Sequence, residues 1–136
     1  MGMDHERIYR IDDHLRPTDE TDEPLRSVVI ETEQAAVVAW IVLPGQRIAS
    51  HVHPQGQDTW IVLRGGGDYA TGHGGAVRML GAGDIAIART GDVHGVYNAG
   101  HEPLVFISVV SPAGAGYERI DEAGARTALA PEGRGA

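Results

Sequence analysis

The sequence predicts an all-β domain, either a sandwich or a closed barrel. Short runs rich in β-branched and aromatic residues recur along the chain, and turn-forming Gly, Pro, Asn and Asp residues separate them. No segment shows a helical period long enough to indicate a substantial helix. Short strands at this regular spacing are typical of sandwiches and barrels. The 136 residues are enough for one domain with its own hydrophobic core.

Eight segments are predicted as strands. They cover residues 27–33, 35–43, 58–65, 67–71, 76–80, 84–88, 94–98 and 103–110. Many of the 19 glycines lie in the short connections between these segments, where a tight turn needs the backbone freedom of glycine. The glycine-rich stretch 65–67 leads into another strand rather than a helix, so it is not predicted to bind phosphate.

The composition of the chain divides it into three parts. Residues 1–26 are predicted as a polar N-terminal arm, residues 27–112 as the β-barrel, and residues 113–136 as a C-terminal tail rich in Ala, Gly and Pro. Within the arm, residues 6–11 alternate enough to predict a short strand. Within the tail, residues 117–129 are predicted to form a short helix that packs on the barrel.

Charge and composition restrict the class of partner. Eleven basic residues against nineteen acidic ones give a net charge of −8 without a basic cluster, which argues against nucleic acid. The longest apolar run, residues 35–43, is too short to cross a bilayer. The absence of cysteine suits a reducing compartment and leaves only nitrogen and oxygen ligands for a metal. We therefore expect a cytoplasmic protein.

Three histidines and one aspartate form a candidate metal site. His51 and His53 leave the same face of an extended strand, about 7 Å apart at the backbone, so both can reach one ion. The segment 54–57 can reverse the chain, which brings Asp58 alongside the pair as an oxygen ligand. His94 is distant in sequence, and only a closed fold can bring it near.

This pattern resembles the first motif of the cupins, in which a glycine, an HxH pair, an acid and a second glycine follow at fixed intervals. Every spacing fits. The matching residues are Gly45, His51, His53, Asp58 and Gly65.

The second cupin motif also resembles a segment of this chain, in the same register and with one mismatch. The matching positions are Gly83, Arg89, Gly91, His94 and Asn98. Cupins usually carry proline where Arg89 stands. The two motifs are correctly ordered and cover residues 45–98, so the resemblance is highly specific for fold and much less specific for function.

The resemblance implies a jelly-roll barrel, also called a double-stranded β-helix, with one divalent metal ion per subunit. It implies His51, His53, Asp58 and His94 as the metal ligands. Iron, manganese, nickel, zinc and copper all suit three imidazoles and one oxygen, so the metal is left open. The resemblance also implies a homodimer, with the N-terminal strand crossing to the partner.

Two positions depart from the cupin pattern. Asp58 replaces the usual glutamate, which shortens the reach of the carboxylate by about 1.5 Å. Gln57 is the alternative fourth ligand, although strand alternation allows only one of the two residues to face the metal and the spacing to Gly65 favours Asp58. Arg89 could hold an anionic group of a substrate, but an exposed strand-end residue is the favoured interpretation.

The function implied by the resemblance is metal-dependent oxygenation, a dioxygenase acting on an enol or dihydroxy substrate. The alternatives are a Lewis-acid isomerase, lyase or polyketide cyclase, and a non-catalytic module that binds a sugar-like molecule. The catalytic residues are not assigned, although Tyr69 and Tyr97 are candidates to carry a proton. Trp60, Arg89 and Asn98 are weak candidates to line a substrate pocket.

Overall fold

The computed structural model describes residues 6–72 and 75–120 and the backbone of residues 126–128. In these residues the chain forms one 3-10 helix, Ile11–His14, and eleven strands. The strands are β1 Ser27–Glu31, β2 Ala36–Val42, β3 Arg47–Val52, β4 Gln57–Arg64, β5 Gly66–Ala70, β6 Val77–Gly81, β7 Ile85–Ala88, β8 His94–Tyr97, β9 Leu104–Ser111, β10 Glu118–Ile120 and β11 Arg126–Ala128. Within this described part, no helix is long and apolar enough to cross a membrane.

The strands form two antiparallel sheets. One sheet has the order β1-β2-β9-β4-β7, and the other has the order β11-β10-β3-β8-β5-β6. Strands distant in sequence are therefore neighbours, as β2 and β9 are across seven residue pairs from Ala36↔Val110 to Val42↔Leu104. The predicted all-β jelly-roll class is confirmed.

The core forms because each inner strand alternates between buried and more exposed residues. On β4, Asp58, Trp60 and Val62 are buried, while the side chains between them face outward. The apolar core contains two tryptophans and a phenylalanine among smaller residues. Its main members are Val38, Trp40, Val42, Ile48, Trp60, Val62, Tyr69, Val96, Leu104, Phe106 and Val110.

Glycine permits two close approaches that shape one end of the barrel. A Cβ on Gly95 would lie 2.7 Å from the carbonyl oxygen of Ile48, so β8 can pack tightly against β3 only without a side chain there. A Cβ on Gly56 would lie 2.5 Å from the Cβ of Ala115. Both glycines therefore allow the chain segments that carry the histidines to approach their neighbours.

The predicted C-terminal helix was wrong, while the predicted crossing of the N-terminal strand to a partner subunit stays a prediction. Residues 6–10 pair with no strand of the described chain, because they lie over the outer face of the first sheet and line a groove there with Val29, Val37 and Ile107. Residues 118–120 and 126–128 are strands rather than parts of a helix. β10 pairs with the otherwise open edge of β3 and buries Ile120, and Gly124 is unfavourable in a helix interior. Tyr117 lies in neither a helix nor a strand, and residues 121–125 and 129 of the predicted helix lie outside the described residues.

Candidate metal centre

The four residues predicted as ligands meet in one buried cluster. His51 lies on β3 directly opposite His94 on β8, His53 follows the end of β3, and Asp58 lies near the start of β4. His51, His94 and Asp58 are 0% exposed and His53 is 5% exposed. One ligand atom from each residue can be chosen so that all four lie within 4.8 Å of one another.

Backbone carbonyls fix the orientation of all three imidazoles through Nδ1. Nδ1 of His51 lies 2.7 Å from the carbonyl oxygen of Ala49, and Nδ1 of His53 lies 2.6 Å from that of Gly116. Nδ1 of His94 lies 3.1 Å from the carbonyl oxygen of Asp92. A carbonyl can only accept, so we assign the proton to Nδ1, which leaves Nε2 of a neutral ring as a lone-pair donor. Metal-binding histidines are commonly held in this way.

The carboxylate of Asp58 completes the cluster. Its Oδ2 lies 3.0 Å from Nε2 of His94 and 3.3 Å from Nε2 of His53. Its Oδ1 accepts a hydrogen bond from the hydroxyl of Ser108. Nε2 of His53 is buried and has no hydrogen-bond partner within the described residues, which is unusual for a polar atom and is the state expected of an atom that binds an ion.

The surroundings favour the protonation states that a divalent cation requires. Burial lowers the pKa of His51 well below its usual value, and the neighbouring His94 and His53 lower it further. Burial also lowers the pKa of His53. Burial would raise the pKa of Asp58, but the neighbouring His94 and the hydrogen bond from Ser108 outweigh it and hold this pKa below its usual value. At neutral pH, His51 and His53 are therefore neutral while Asp58 is ionised.

The donor set fits a divalent transition metal. Three nitrogen atoms and one carboxylate oxygen suit iron, manganese, nickel, zinc and copper. Two atoms on opposite sides of such an ion, each about 2.1 Å from it, are about 4.2 Å apart. The separations within 4.8 Å therefore require only a small contraction of the cluster.

The structure places Asp58, and not Gln57, in the cluster. Gln57 is exposed and lies on the other side of β4, because successive residues of a strand face opposite sides. Arg89 is exposed in the turn after β7, where its backbone N–H donates to Asp92 Oδ2 at 2.9 Å. A role for Arg89 at a substrate stays a prediction.

Of the other pocket candidates, Trp60 lies beside the cluster and Asn98 has a structural role. The ring of Trp60 is 5.6 Å from that of His94, edge to face, and stacks on Phe106 at 4.2 Å. A place for Asn98 in a substrate pocket stays a prediction. Its amide group donates to the carbonyl oxygens of Val42 and Glu102 at 2.9 and 2.8 Å, so both amide protons are used by the backbone.

The two candidate proton carriers occupy different faces of their sheet. Tyr69 is buried, edge to face with Trp60 at 5.3 Å, and burial raises the pKa of its hydroxyl. Tyr97 faces away from His94 and lies beneath the guanidinium of Arg47, which is 4.9 Å from the centre of its ring. Tyr97 is therefore poorly placed to serve the cluster.

Sequence reasoning missed two residues that contact the cluster. The hydroxyl of Ser108 could have been found as the polar residue on the inward-facing side of the apolar strand 103–110. Tyr117 lies with its ring 5.0 Å from that of His51 and 6.3 Å from that of His53. Nothing in the sequence signals Tyr117, because its segment was assigned to a helix.

Comparison with known proteins agrees with the resemblance found in the sequence motifs. The profile of the cupin domain family matches residues 38–110. A Klebsiella pneumoniae protein with a double-stranded β-helix domain is 51% identical, with a TM-score of 0.81 over 86% of this chain and 99% of that one. Among curated proteins, no sequence matches the chain at a significant level.

More distant solved structures share the same fold. A Thermus thermophilus protein is 25% identical over 78% of this chain and 97% of its own, with a TM-score of 0.70. A cupin conserved-barrel protein from Salinispora arenicola is 22% identical over 82% of this chain and 93% of its own, with a TM-score of 0.61.

Proposed function

The chain belongs to the cupin family, and on this premise we propose that it is a metal-dependent enzyme acting on a small organic molecule. His51, His53, Asp58 and His94 would hold one divalent ion. The observation that carries this proposal is the shared orientation of the three imidazoles, each held at Nδ1 by a carbonyl while the four residues converge in a buried cluster. Such a site binds a divalent cation with little reorganisation.

Within this class we propose oxygenation of an enol or dihydroxy substrate, with both atoms of O2 entering the product. A redox-active metal bound to the four residues would supply the reactivity toward O2. The chain itself would orient the metal and keep water away through the buried rings of Trp60 and Phe106. Isomerases and cyclases also need a base to move a proton. Among the described residues, Asp58 is already used as the carboxylate of the cluster, and the raised pKa of Tyr69 keeps its hydroxyl protonated. Neither residue is therefore well suited to act as such a base, which supports oxygenation.

Metal analysis tests this proposal most directly. Protein purified from its native host without added metal should contain one equivalent of iron or copper by elemental mass spectrometry. It should then consume O2 with an enol or dihydroxy compound, and label from 18O2 should appear in the product. Zinc with no O2 consumption would favour the isomerase, lyase or cyclase alternative. A loaded metal that binds the compound without any turnover would favour the binding module.

Substitutions test the ligand assignment. We expect His51→Ala and His94→Ala each to lose the metal, because each removes a nitrogen donor from the buried cluster. His101→Gln is the matched control, since His101 is exposed and lies outside the cluster. Retention of a full equivalent of metal by either alanine variant would show that the assignment is wrong.

We also propose that two copies pair through the outer face of the sheet that contains β4 and β7. Ile85 and Ile87 of β7 are 63% and 55% exposed there, beside the partly exposed Ile61 and Leu63 of β4. Exposed apolar patches of this kind are characteristic of interfaces. Light scattering at micromolar concentration should give the mass of a dimer for the wild type and of a monomer for Ile85→Glu.

The control for the dimer is Val77→Glu, on the edge strand of the other sheet, where Val77 is 55% exposed. This variant should remain dimeric. A monomeric wild type would reject the proposal.

A further inference from the structure

Tyr117 lies against the candidate metal centre on a segment that is tightly fixed. Its ring is tilted by 32° relative to that of His51, with the ring centres 5.0 Å apart. The two preceding residues are bound to the chain around His53: Ala115 accepts a hydrogen bond from the backbone of Gln55 at 2.8 Å, and Gly116 accepts one from His53 at 2.6 Å. Tyr117 is thus held next to the two histidines of β3 and the turn that follows it.

The position of Tyr117 differs from that of the other aromatic residue beside the cluster. Trp60 contacts His94 from inside the core and is fully buried, whereas Tyr117 is partly exposed. The four residues of the cluster are themselves buried. Tyr117 is therefore a partly exposed aromatic residue at the edge of the cluster, next to His51 and His53.

The hydroxyl of Tyr117 has hydrogen-bonding capacity that its surroundings do not use. The ring contacts His51 and His53, and the charged side chains of Arg119 and Glu23 lie near enough to act on the hydroxyl, which makes no hydrogen bond with a described residue. A ring that served only to cover His51 could equally be phenylalanine. A tyrosine at this place offers a donor to an oxygen atom of a molecule bound beside the histidines.

We propose that Tyr117 positions the substrate, its hydroxyl donating a hydrogen bond to an oxygen of an enol or dihydroxy compound bound at the metal centre. The proposal rests on the function proposed above, because it requires a metal held by the four residues. It adds a contact from outside the two cupin motifs, supplied by the C-terminal segment. It also assigns selectivity for oxygen-bearing ligands to a residue that binds no metal.

The test uses the full chain loaded with one equivalent of Cu(II), and 4-nitrocatechol as a coloured dihydroxy probe. Spectrophotometric titration gives the dissociation constant of the probe, and elemental mass spectrometry gives the metal content of each variant. Tyr117→Phe keeps the ring and removes only the hydroxyl, so we expect about tenfold weaker probe binding with unchanged metal content. Tyr117→Leu also removes the aromatic ring, and it should weaken binding further.

Tyr97→Phe is the matched control, because it removes a hydroxyl from the face of β8 opposite His94. It should bind the probe as the wild type does. Equal affinity of Tyr117→Phe and wild type, or loss of metal by Tyr117→Phe, would overturn the role of Tyr117. In the first case the proposed function would stand. Failure of the wild-type copper protein to bind the probe would overturn both the function proposed for dihydroxy substrates and the inference that depends on it.

Discussion

Asp58 carries one methylene less than the glutamate usual at its position in cupins, and its neighbours compensate for the shorter reach. Its Oδ2 already lies 3.0 Å and 3.3 Å from Nε2 of His94 and His53. The hydroxyl of Ser108 donates a hydrogen bond to the other carboxylate oxygen, so both oxygens of the side chain have partners. Strand alternation and a serine fifty residues away in the chain therefore place Asp58, rather than Gln57, in the candidate site.

The role of Ser108 leads to a prediction at the same scale. Ser108→Ala removes a hydrogen bond to the buried carboxylate of Asp58, so the pKa of Asp58 should rise and its orientation should become less fixed. We expect metal affinity to fall by about 10- to 100-fold, the usual effect of losing a group that supports a ligand. Competition with a chromogenic chelator measures this change. Ser111→Ala, at the partly exposed end of the same strand, should leave the affinity unaltered.

At the scale of elements, the strands with strong turn signals could be predicted and the others could not. All eight segments predicted as strands overlap β1, β2 and β4–β9. β3 was treated as extended only around its histidines, because its polar residues weaken the apolar alternation. β10 has three residues, and it is a strand because the edge of β3 lies beside it. Such pairing between distant segments leaves no local pattern in the sequence.

The approach of β8 to β3 gives a prediction for these elements. In Gly95→Ala the new Cβ would meet the carbonyl oxygen of Ile48 at 2.7 Å, which forces the two strands that carry His51 and His94 apart. We expect a loss of about 1–3 kcal/mol in the free energy of unfolding, together with weaker metal binding. Urea denaturation and chelator competition measure the two effects. Gly114→Ala is the control, because a Cβ there meets nothing within 4 Å; equal stability of both variants would contradict the argument.

For the whole molecule, the closed fold brings together residues that the sequence could only align by motif. Spacing alone indicated that His51 and His53 share a face, but the contribution of His94 depends on β8 lying next to β3. The residues around the candidate ligands were harder to assign. Asn98 belongs to the second motif and yet joins backbone segments, whereas Tyr117 belongs to no motif and lies beside the cluster. A motif identifies ligands, while the surrounding contacts depend on the packing of the complete barrel.

The buried histidines should make the stability of the metal-free protein depend on pH. The pKa values of His51 and His53 are lowered in the folded chain, so below about pH 6.5 the unfolded chain binds protons that the folded chain does not. The free energy of unfolding should therefore fall as pH decreases through this range, by up to about 1.4 kcal/mol per pH unit for each such histidine. The lowered pKa of Asp58 adds a further loss in the more acidic range, below its usual value of 3.8.

Urea denaturation of the metal-free protein at pH 7.5, 6.5 and 5.5 measures this dependence. His51→Gln removes one of the responsible groups, so its stability should change less steeply with pH than that of the wild type, whatever its stability at pH 7.5. His101→Gln should keep the wild-type slope, because His101 lies exposed on the surface. A wild-type stability that is constant or increases toward pH 5.5 would mean that the folded chain binds these protons as readily as the unfolded chain. His51 and His53 could not then be held as neutral donors beside Asp58.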